Sequence, residues 1–248
     1  MKEKLVLKNK VAIVTGGGKG IGKSIALAFA EEGAITVICG RTLSLLQQVS
    51  QVARKESIIV PIQADVSIES QVENMVAQVI QKFGKIDILV NNAGILGPTE
   101  LVTNLSKEAW DGVINTNLTG SFLCSRVVLR HMIRKRCGNI INISADSGRI
   151  GGRVRSIVYV VSKFGIEGLT YALAIQMKPY GICVNALRPG VIDTDIIKGM
   201  SELKTEMEKP DVVKRLAIYM ASQTVDTMTG ESISRKEWEQ KVVNRQGE

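Results

Sequence analysis

The sequence predicts an α/β protein in which one doubly wound parallel sheet carries helices on both faces. Short runs rich in Val and Ile alternate along the chain with longer segments whose apolar residues recur at helical spacing. The short runs are apolar throughout, which is typical of strands buried on both faces, and their alternation with helices is typical of parallel sheets. A chain of 248 residues is also the size of one large α/β domain. We therefore expect a single domain over residues 1–248.

Six strands and five helices follow from this pattern. The first strand, Val11–Thr15, and the second, Ala34–Cys39, are each bounded by Gly or Lys. Further strands are predicted at 57–62, 86–90, 139–143 and 181–187. Helices are predicted between the strands at about residues 20–32, 43–55, 68–83, 109–136 and 157–178. No low-complexity linker or internal repeat in the sequence marks a second domain.

Composition narrows the classes of partner. Lys and Arg total 32 against 24 Asp and Glu, which gives a net charge of +8 and favours anionic ligands. The basic residues are dispersed, no nucleic-acid-binding motif occurs and aromatic residues make up only 4% of the chain, so we expect a phosphate-bearing cofactor or substrate and no nucleic acid. No apolar run approaches the roughly 20 residues that span a bilayer, which predicts a cytoplasmic protein without membrane contact.

The four cysteines do not form a metal-binding pattern. Cys39, Cys124, Cys137 and Cys183 are scattered, and His131 is the single histidine of the sequence. This spacing argues against both a zinc site and a disulfide framework. We expect reduced thiols and no bound metal.

A glycine-rich loop, Thr15 to Gly22, follows the first strand and begins the first helix. Backbone without side chains can approach a pyrophosphate closely, and a helix N-terminus supplies N–H donors and the positive end of a dipole. We therefore expect the loop to bind a dinucleotide cofactor. The residues expected in this site are Thr15, Gly16, Gly18, Lys19, Gly20, Ile21 and Gly22.

The spacing of these glycines resembles the Thr-Gly-x-x-x-Gly-x-Gly pattern of the short-chain dehydrogenase/reductase family. Further motifs of that family occur in its order between about residues 10 and 230: Asp65-Val66, Asn91-Asn92-Ala93-Gly94, Asn117, Tyr159-x-x-x-Lys163 and Pro189-Gly190. The resemblance implies a Rossmann fold and a nicotinamide-dependent oxidoreductase, similar to 3-oxoacyl-[acyl-carrier-protein] reductases. It also implies a small carbonyl or acyl thioester substrate and a homodimer or homotetramer.

The same resemblance implies the rest of the cofactor site. Asp65 and Val66 would hold the adenine, Asn91 would lie near the adenosine ribose, and Thr194 would help to seat the nicotinamide carboxamide. The neighbouring motif residues implied to contact the cofactor are Ala93, Gly94, Pro189, Gly190 and Ile192, together with Tyr159 and Lys163.

The end of the second strand indicates which dinucleotide is bound. An NAD-dependent enzyme places an Asp or Glu there, about 20 residues past the glycine loop, to bind the ribose 2′-hydroxyl. This chain has Gly40-Arg41 instead, and Lys19 supplies a second cation in the glycine loop. Arg41 can donate several hydrogen bonds to a 2′-phosphate. The sequence therefore favours NADP(H) over NAD(H).

Tyr159 and Lys163 are four residues apart, so on a helix they share one face. An adjacent ammonium group and an oxidised nicotinamide are both expected to favour the tyrosine phenolate. The resemblance implies that Tyr159 exchanges a proton with the substrate oxygen and that Lys163 also binds the nicotinamide ribose. It further implies that Asn117 holds a water near Lys163.

Two departures from the family pattern stand out. Counting forward from Asn117, the position of the family's catalytic serine falls on Ala145, with Ser144 and Ser147 on either side as replacement candidates. Near the C-terminus, the family's terminal strand and Asp-Gly-Gly turn give way to an atypical charged tail at about residues 235–248. This tail puts the family's usual tetramer contacts in doubt.

Three functions stay open on the sequence alone. The first is an NADPH-dependent reductase of ketones or 3-oxoacyl thioesters, and the second is an alcohol or sugar dehydrogenase of the same family. The third, suggested by Ala145, is a catalytically impaired NADP-binding sensor or interaction protein. Arg149, Arg153 and Arg155 cluster before Tyr159 and either belong to a solvated loop or guide an anionic acyl carrier or coenzyme A thioester.

Overall fold

The computed structural model describes residues 5–146, 156–195 and 207–246, and its strands form one parallel sheet. The sheet has seven strands in the order β3-β2-β1-β4-β5-β6-β7. The strands are β1 (Val11–Thr15), β2 (Ile35–Gly40), β3 (Ile58–Gln63), β4 (Ile88–Asn91), β5 (Gly138–Ile143), β6 (Ile182–Arg188) and β7 (Ser232–Ser234). The predicted doubly wound α/β fold is confirmed.

Helices pack on both faces of the sheet. They are α1 (Gly20–Glu31), α2 (Leu43–Val52), α3 (Glu69–Phe83), α4 (Lys107–Ile114), α5 (Gly120–Lys135), α6 (Ile157–Met177), α7 (Lys214–Ala221) and α8 (Arg235–Gln246). Apolar side chains of α1, α2 and α7 form one buried cluster with the sheet, and those of α3 and α5 form another. Alternate residues of β1 enter the two clusters, as the twofold repeat of a strand requires.

The predicted element order holds, with differences in the segment 109–136 and at the C-terminus. The predicted strands agree with β1 to β6 to within two residues at each end. The segment 109–136 is interrupted by a π-helical turn, Asn115–Thr119, which separates α4 from α5. The C-terminal elements α7, β7 and α8 have no counterpart in the sequence prediction.

One helix contradicts the expectation that no apolar stretch is long enough to span a bilayer. Among the described residues, Ile157–Tyr180 is long and apolar enough by length and composition, with a mean hydropathy of 1.3. The helix carries the buried Lys163 and packs against β6, and the core helix of a soluble protein passes the same test. Its apolar composition is thus weak evidence for membrane contact.

The strand order creates a crevice between β1 and β4. From β1 the chain moves outward through β2 and β3, and it then returns to place β4 on the other side of β1. The loops that follow these two strands therefore diverge, and ligands of open α/β sheets bind where the order reverses in this way.

Tight packing at the start of α1 generates a stability prediction. A methyl group at Gly22 would overlap the Gly16 carbonyl oxygen and the Asn92 amide, so Gly22→Ala should lower the free energy of unfolding by about 1–3 kcal/mol. The exposed helical Gly112 has nothing within 4 Å of its added methyl, so Gly112→Ala should raise it by about 0.4–1 kcal/mol. Urea denaturation of both variants measures this. Equal effects in the two variants would contradict the packing account.

Candidate active site

A cleft of about 650 Å³ opens at the carboxyl ends of the strands, above the point where the strand order reverses. Its walls come from the loops after β1, β2, β3, β4 and β6. The sequence-predicted cofactor residues that line it are Gly16, Gly18, Lys19, Gly20, Ile21, Arg41, Asp65, Val66, Ala93, Gly94 and Thr194. The fold therefore brings together most of the residues that were chosen from scattered motifs.

The glycine loop forms a cradle that fits a pyrophosphate. Gly16 has a φ of +64°, and a methyl group there would lie 2.9 Å from the Asn92 amide nitrogen and 3.0 Å from the Ala93 Cα. A methyl at Gly20 would lie 3.0 Å from the Thr194 side chain on the opposite wall. Helix α1 begins at Gly20 without an acidic residue in its first turn, so its N–H groups and positive dipole end meet the cleft.

Thr15 shapes this loop from beneath the cleft. Its Oγ1 accepts hydrogen bonds from the backbone N–H groups of Asn92 and Ala93, at 2.9 and 3.0 Å, and donates to the Val90 carbonyl at 3.2 Å. The Asn92 side chain donates in return to the Thr15 carbonyl at 2.9 Å. Asn92, which lines the cleft, was not singled out from the sequence although its motif was.

Asn91 is placed differently from the expectation of a ribose contact. Its side chain is buried and donates to the Ser125 hydroxyl at 2.9 Å and to the Asn142 amide oxygen at 2.8 Å. Ser125 belongs to α5, so Asn91, the last residue of β4, faces the helical layer instead of the cleft. The next three residues of the motif line the cleft.

Two cations stand at the cleft. Arg41 is exposed, and its carbonyl oxygen accepts a hydrogen bond from the Gln63 amide at 2.8 Å. The Lys19 ammonium group donates to Asp195 on the opposite wall at 2.6 Å. The acidic residues that line the cleft, Asp65, Asp193 and Asp195, follow β3 and β6, whereas the residue that follows β2 is Arg41.

Tyr159 and Lys163 lie in the first two turns of α6. The Ser156 hydroxyl accepts from the Tyr159 N–H and caps this helix, a role for which serine is favoured. The Lys163 ammonium group is buried, donates to the Ile143 carbonyl at the end of β5 at 2.7 Å, and lies 5.5 Å from the centre of the Tyr159 ring. The pair is therefore held against the carboxyl edge of the sheet.

Burial shifts the pKa of each of these two groups toward its neutral form. It raises the pKa of Tyr159 to about 12 and lowers the pKa of Lys163 to about 8, the charge of Glu167 acting in the opposite direction on the lysine. The rise for Tyr159 is opposite to the lowering expected from the adjacent ammonium group. The cause of this rise is desolvation by burial, which disfavours the charged phenolate. At neutral pH the tyrosine therefore holds a proton that it can donate.

The π-helical turn positions Asn117 beside these residues. The Asn117 side chain accepts from the Ile95 N–H at 2.8 Å, donates to the Ile95 carbonyl at 3.0 Å, and donates to the Ser162 hydroxyl at 2.9 Å. Ser162 in turn donates to the Tyr159 carbonyl at 2.7 Å. π-Helical turns are frequent at functional sites because they re-aim a side chain within a helix. Ser162, which joins the turn to α6, was missed in the sequence.

The Tyr159 cluster adjoins the cleft but does not line it. Asn117, Tyr159 and Lys163 are outside the set of lining residues, whereas Ile95 and Thr116, which flank the cluster, are within it. The residues Gly22, Pro189, Gly190 and Ile192 also lie behind the cleft wall. Ile192 is buried in the apolar cluster under α1 and α7.

Ser144 and Ala145 follow β5. The Ser144 hydroxyl is buried and donates to the Lys163 carbonyl at 3.4 Å, so it faces the backbone of α6. Ala145 is half-buried and has no hydroxyl to offer. The other candidates of this region, Ser147 and the arginines at positions 149, 153 and 155, lie outside the described residues.

No group of three or more His, Cys, Asp and Glu side chains within the described residues has the geometry of a metal site. Of the four cysteines, Cys39, Cys124 and Cys183 are buried, and burial raises the pKa of each thiol. These thiols are accordingly poor nucleophiles and poor metal ligands.

Comparison with known proteins is consistent with this geometry. The family model for short chain dehydrogenases matches residues 10–205. The chain is 37% identical over 238 residues to the 3-oxoacyl-[acyl-carrier-protein] reductase of Staphylococcus epidermidis, covering 91% of this chain and 96% of that protein. It is also 37% identical over 240 residues to the enzyme of that name from Thermotoga maritima, covering 92% and 96%.

A solved structure extends the likeness to three dimensions. The short-chain type dehydrogenase/reductase from Mycobacterium marinum matches with a TM-score of 0.86 at 31% identity, over 94% of this chain and 96% of that one. The family match spans the glycine loop, the Tyr159 helix and strands β1 to β6. The chain belongs to the short-chain dehydrogenase/reductase family and is an oxidoreductase that acts on carbonyl or alcohol groups.

Proposed function

We propose that the protein is an NADPH-dependent reductase of ketones, with 3-oxoacyl thioesters as the substrate class. The proposal rests on the position of the cleft, which adjoins the Tyr159 and Lys163 pair through its lining residues Ile95 and Thr116. The relatives from Staphylococcus epidermidis and Thermotoga maritima bear the name of 3-oxoacyl-[acyl-carrier-protein] reductase, which supports the choice of substrate.

Each residue of the cluster has a proposed role. When bound, the cofactor supplies the hydride that reduces the carbonyl carbon. Tyr159 donates its proton to the carbonyl oxygen, and the Lys163 ammonium group stabilises the phenolate that this leaves behind. Asn117 positions α6 through Ser162 and the loop after β4 through Ile95. Of the catalytic groups that the family resemblance implies, the described residues supply all but the serine hydroxyl, which Ala145 lacks.

The preference for NADPH rests on charge at the cleft. Arg41 lies where NAD-dependent enzymes carry an acid, and Lys19 of the glycine loop lines the same cleft. Lys19 is paired with Asp195 at 2.6 Å, so Arg41 is the cation available to a 2′-phosphate without breaking that ion pair. Asp65 and Val66, which also line the cleft, would contact the adenine.

Assembly and location complete the proposal. Helix α6 exposes apolar side chains, with Val161 at 41%, Tyr171 at 64% and Ile175 at 58%, which supports a homo-oligomer built on this helix. We place the protein in the cytoplasm as a single domain. The second candidate function, a catalytically impaired NADP-binding sensor, is favoured only by Ala145. An alcohol or sugar dehydrogenase would use the same residues in the opposite direction.

The function is tested by following NADPH oxidation with ketones, 3-oxoacyl thioesters, quinones and sugars. We expect turnover with 3-oxoacyl thioesters and none in Tyr159→Phe. Because one oxyanion donor is worth roughly 10²–10³ in rate, Ala145→Ser should raise kcat by about that factor, whereas Ser144→Ala should leave it nearly unchanged. Silence of the natural protein with every substrate, persisting in Ala145→Ser, would favour the sensor.

Cofactor choice is tested at Arg41. Loss of charged hydrogen bonds to the 2′-phosphate costs about 1.5–3 kcal/mol, so Arg41→Ala should weaken NADPH binding by that amount and leave NADH binding nearly unchanged. Titration of protein fluorescence measures both affinities. Arg54→Ala is the matched control, because Arg54 is an exposed arginine paired with Glu31 outside the cleft. Equal weakening of both cofactors would show that Arg41 does not bind the 2′-phosphate.

The shifted pKa of Lys163 predicts a pH dependence. A lowered pKa of about 8 means that the ammonium form is lost above pH 8, while Tyr159, with a pKa raised to about 12, stays protonated through that range. The rate of ketone reduction should therefore fall as the pH rises above 8. Lys163→Arg keeps its charge to much higher pH, so this fall should disappear in the variant whatever its absolute rate. A fall at the same pH in both proteins would assign it to another group.

A further inference from the structure

Arg235 is a buried arginine at the first position of α8, in the atypical C-terminal tail, with 4% of its surface exposed. Its guanidinium group donates to the Pro189 carbonyl at 3.2 Å and forms ion pairs with Glu208 and Glu239. A buried arginine is tolerated only when its donors are satisfied in this way, so the three contacts fix the side chain in one geometry.

Two of the three contacts converge on one segment of chain. The backbone of Glu208 bonds to the residues on either side of Ile192. Its N–H donates to the Val191 carbonyl at 3.0 Å, and its carbonyl accepts from the Asp193 N–H at 2.8 Å. Arg235 therefore binds the segment 189–193 directly at Pro189 and indirectly through Glu208. The third contact, to Glu239, remains within α8.

The segment so held leads into the cleft wall. Its continuation, Asp193 to Asp195, lines the cleft opposite the glycine loop, where Thr194 lies 3.0 Å from the position of a Gly20 methyl. The other end of the cleft is fixed by separate contacts: the Gln63 amide donates to the Arg41 carbonyl, and the Asp65 N–H donates to the Gln71 side-chain oxygen. Within the described residues, the contacts of Arg235 thus reach the end of the cleft formed by residues 193–195.

A second buried arginine shows that α8 reaches the neighbouring strand end as well. Arg188, the last residue of β6, pairs with Asp146 at 2.7 Å, donates to the Ser232 hydroxyl at 3.2 Å and lies 3.5 Å from Glu237 of α8. Asp146 directly follows Ala145. The charged tail thereby contacts the end of β6 and is linked through Arg188 to Asp146 after β5, beside the proposed site of reaction.

We propose that Arg235 is a positioning residue which, by binding Pro189 and Glu208 together, fixes the segment 189–195 for the nicotinamide half of the cofactor. This inference rests on the proposed function, since it presumes a dinucleotide in the cleft. It gives the C-terminal tail a role within the active site in place of the subunit contacts that the family pattern implies for this end of the chain.

The test compares two ligands that share only the adenosine half. NADPH spans the cleft, whereas adenosine 2′,5′-bisphosphate carries the adenine, ribose and 2′-phosphate without the nicotinamide. In Arg235→Met and in Glu208→Gln, NADPH affinity should fall at least tenfold while bisphosphate affinity stays within twofold of the natural protein. Glu239→Gln, which removes an ion pair of Arg235 inside α8, is the matched control and should leave both affinities unchanged.

The outcomes separate the two proposals. A parallel loss of both ligands in Arg235→Met and Glu208→Gln, or no loss in either variant, overturns the positioning role. If Arg235→Met does not fold, as judged by circular dichroism, Glu208→Gln decides alone. A natural protein that binds NADH better than NADPH overturns the cofactor assignment instead, and the comparison is then made with NADH and adenosine 5′-monophosphate. A natural protein that binds no nucleotide overturns both proposals.

Discussion

The burial of the Lys163 ammonium group against the end of β5 is the constraint on which the arrangement of the site depends. Lys163 is 6% exposed, so its ammonium group needs hydrogen-bond partners within the protein, and the Ile143 carbonyl supplies one at 2.7 Å. This bond fixes the position of the first turns of α6 relative to the carboxyl end of β5. Ser162, the preceding residue, then meets Asn117 of the π-helical turn, and the cap residue Ser156 donates to the Leu96 carbonyl at 2.8 Å. One helix thus joins β5, the loop after β4 and the turn before α5.

Strands were predictable here because a parallel sheet covered on both faces requires continuous apolar runs. Such runs have few alternative interpretations, and β1 to β6 follow them closely. The π-helical turn at 115–119 was not predictable in the same way, since one extra residue in a helix changes the periodicity too little to be noticed over a single turn. The short β7 and the charged α8 were missed because three residues give no strand pattern and α8 has no clear apolar face.

For the site, the cofactor motifs chosen from the sequence lie in loops that line the cleft, but not every chosen side chain faces it. Asn91 belongs to a motif that lines the cleft, yet as the last residue of β4 its side chain points toward α5. Side chains alternate between the faces of a strand, and the sequence does not show where that alternation ends. Arg235 is a residue that nothing in the sequence singles out, because a charged residue in a charged tail indicates a solvated surface. In the structure it is buried beside Pro189.

Ala145 has no hydroxyl to offer, so Tyr159 is the proton donor in the function we propose, and its raised pKa determines the form in which it rests. A tyrosine with a pKa of about 12 rests in the protonated form, which is the form that reduction of a carbonyl requires. The alkoxide produced by hydride transfer is a stronger base than a phenolate, so the proton transfer stays favourable despite the high pKa. Oxidation of an alcohol would instead need the phenolate before reaction, a form that burial disfavours in the protein alone. At neutral pH the protonated tyrosine is thus in the form that the reductive direction we propose requires.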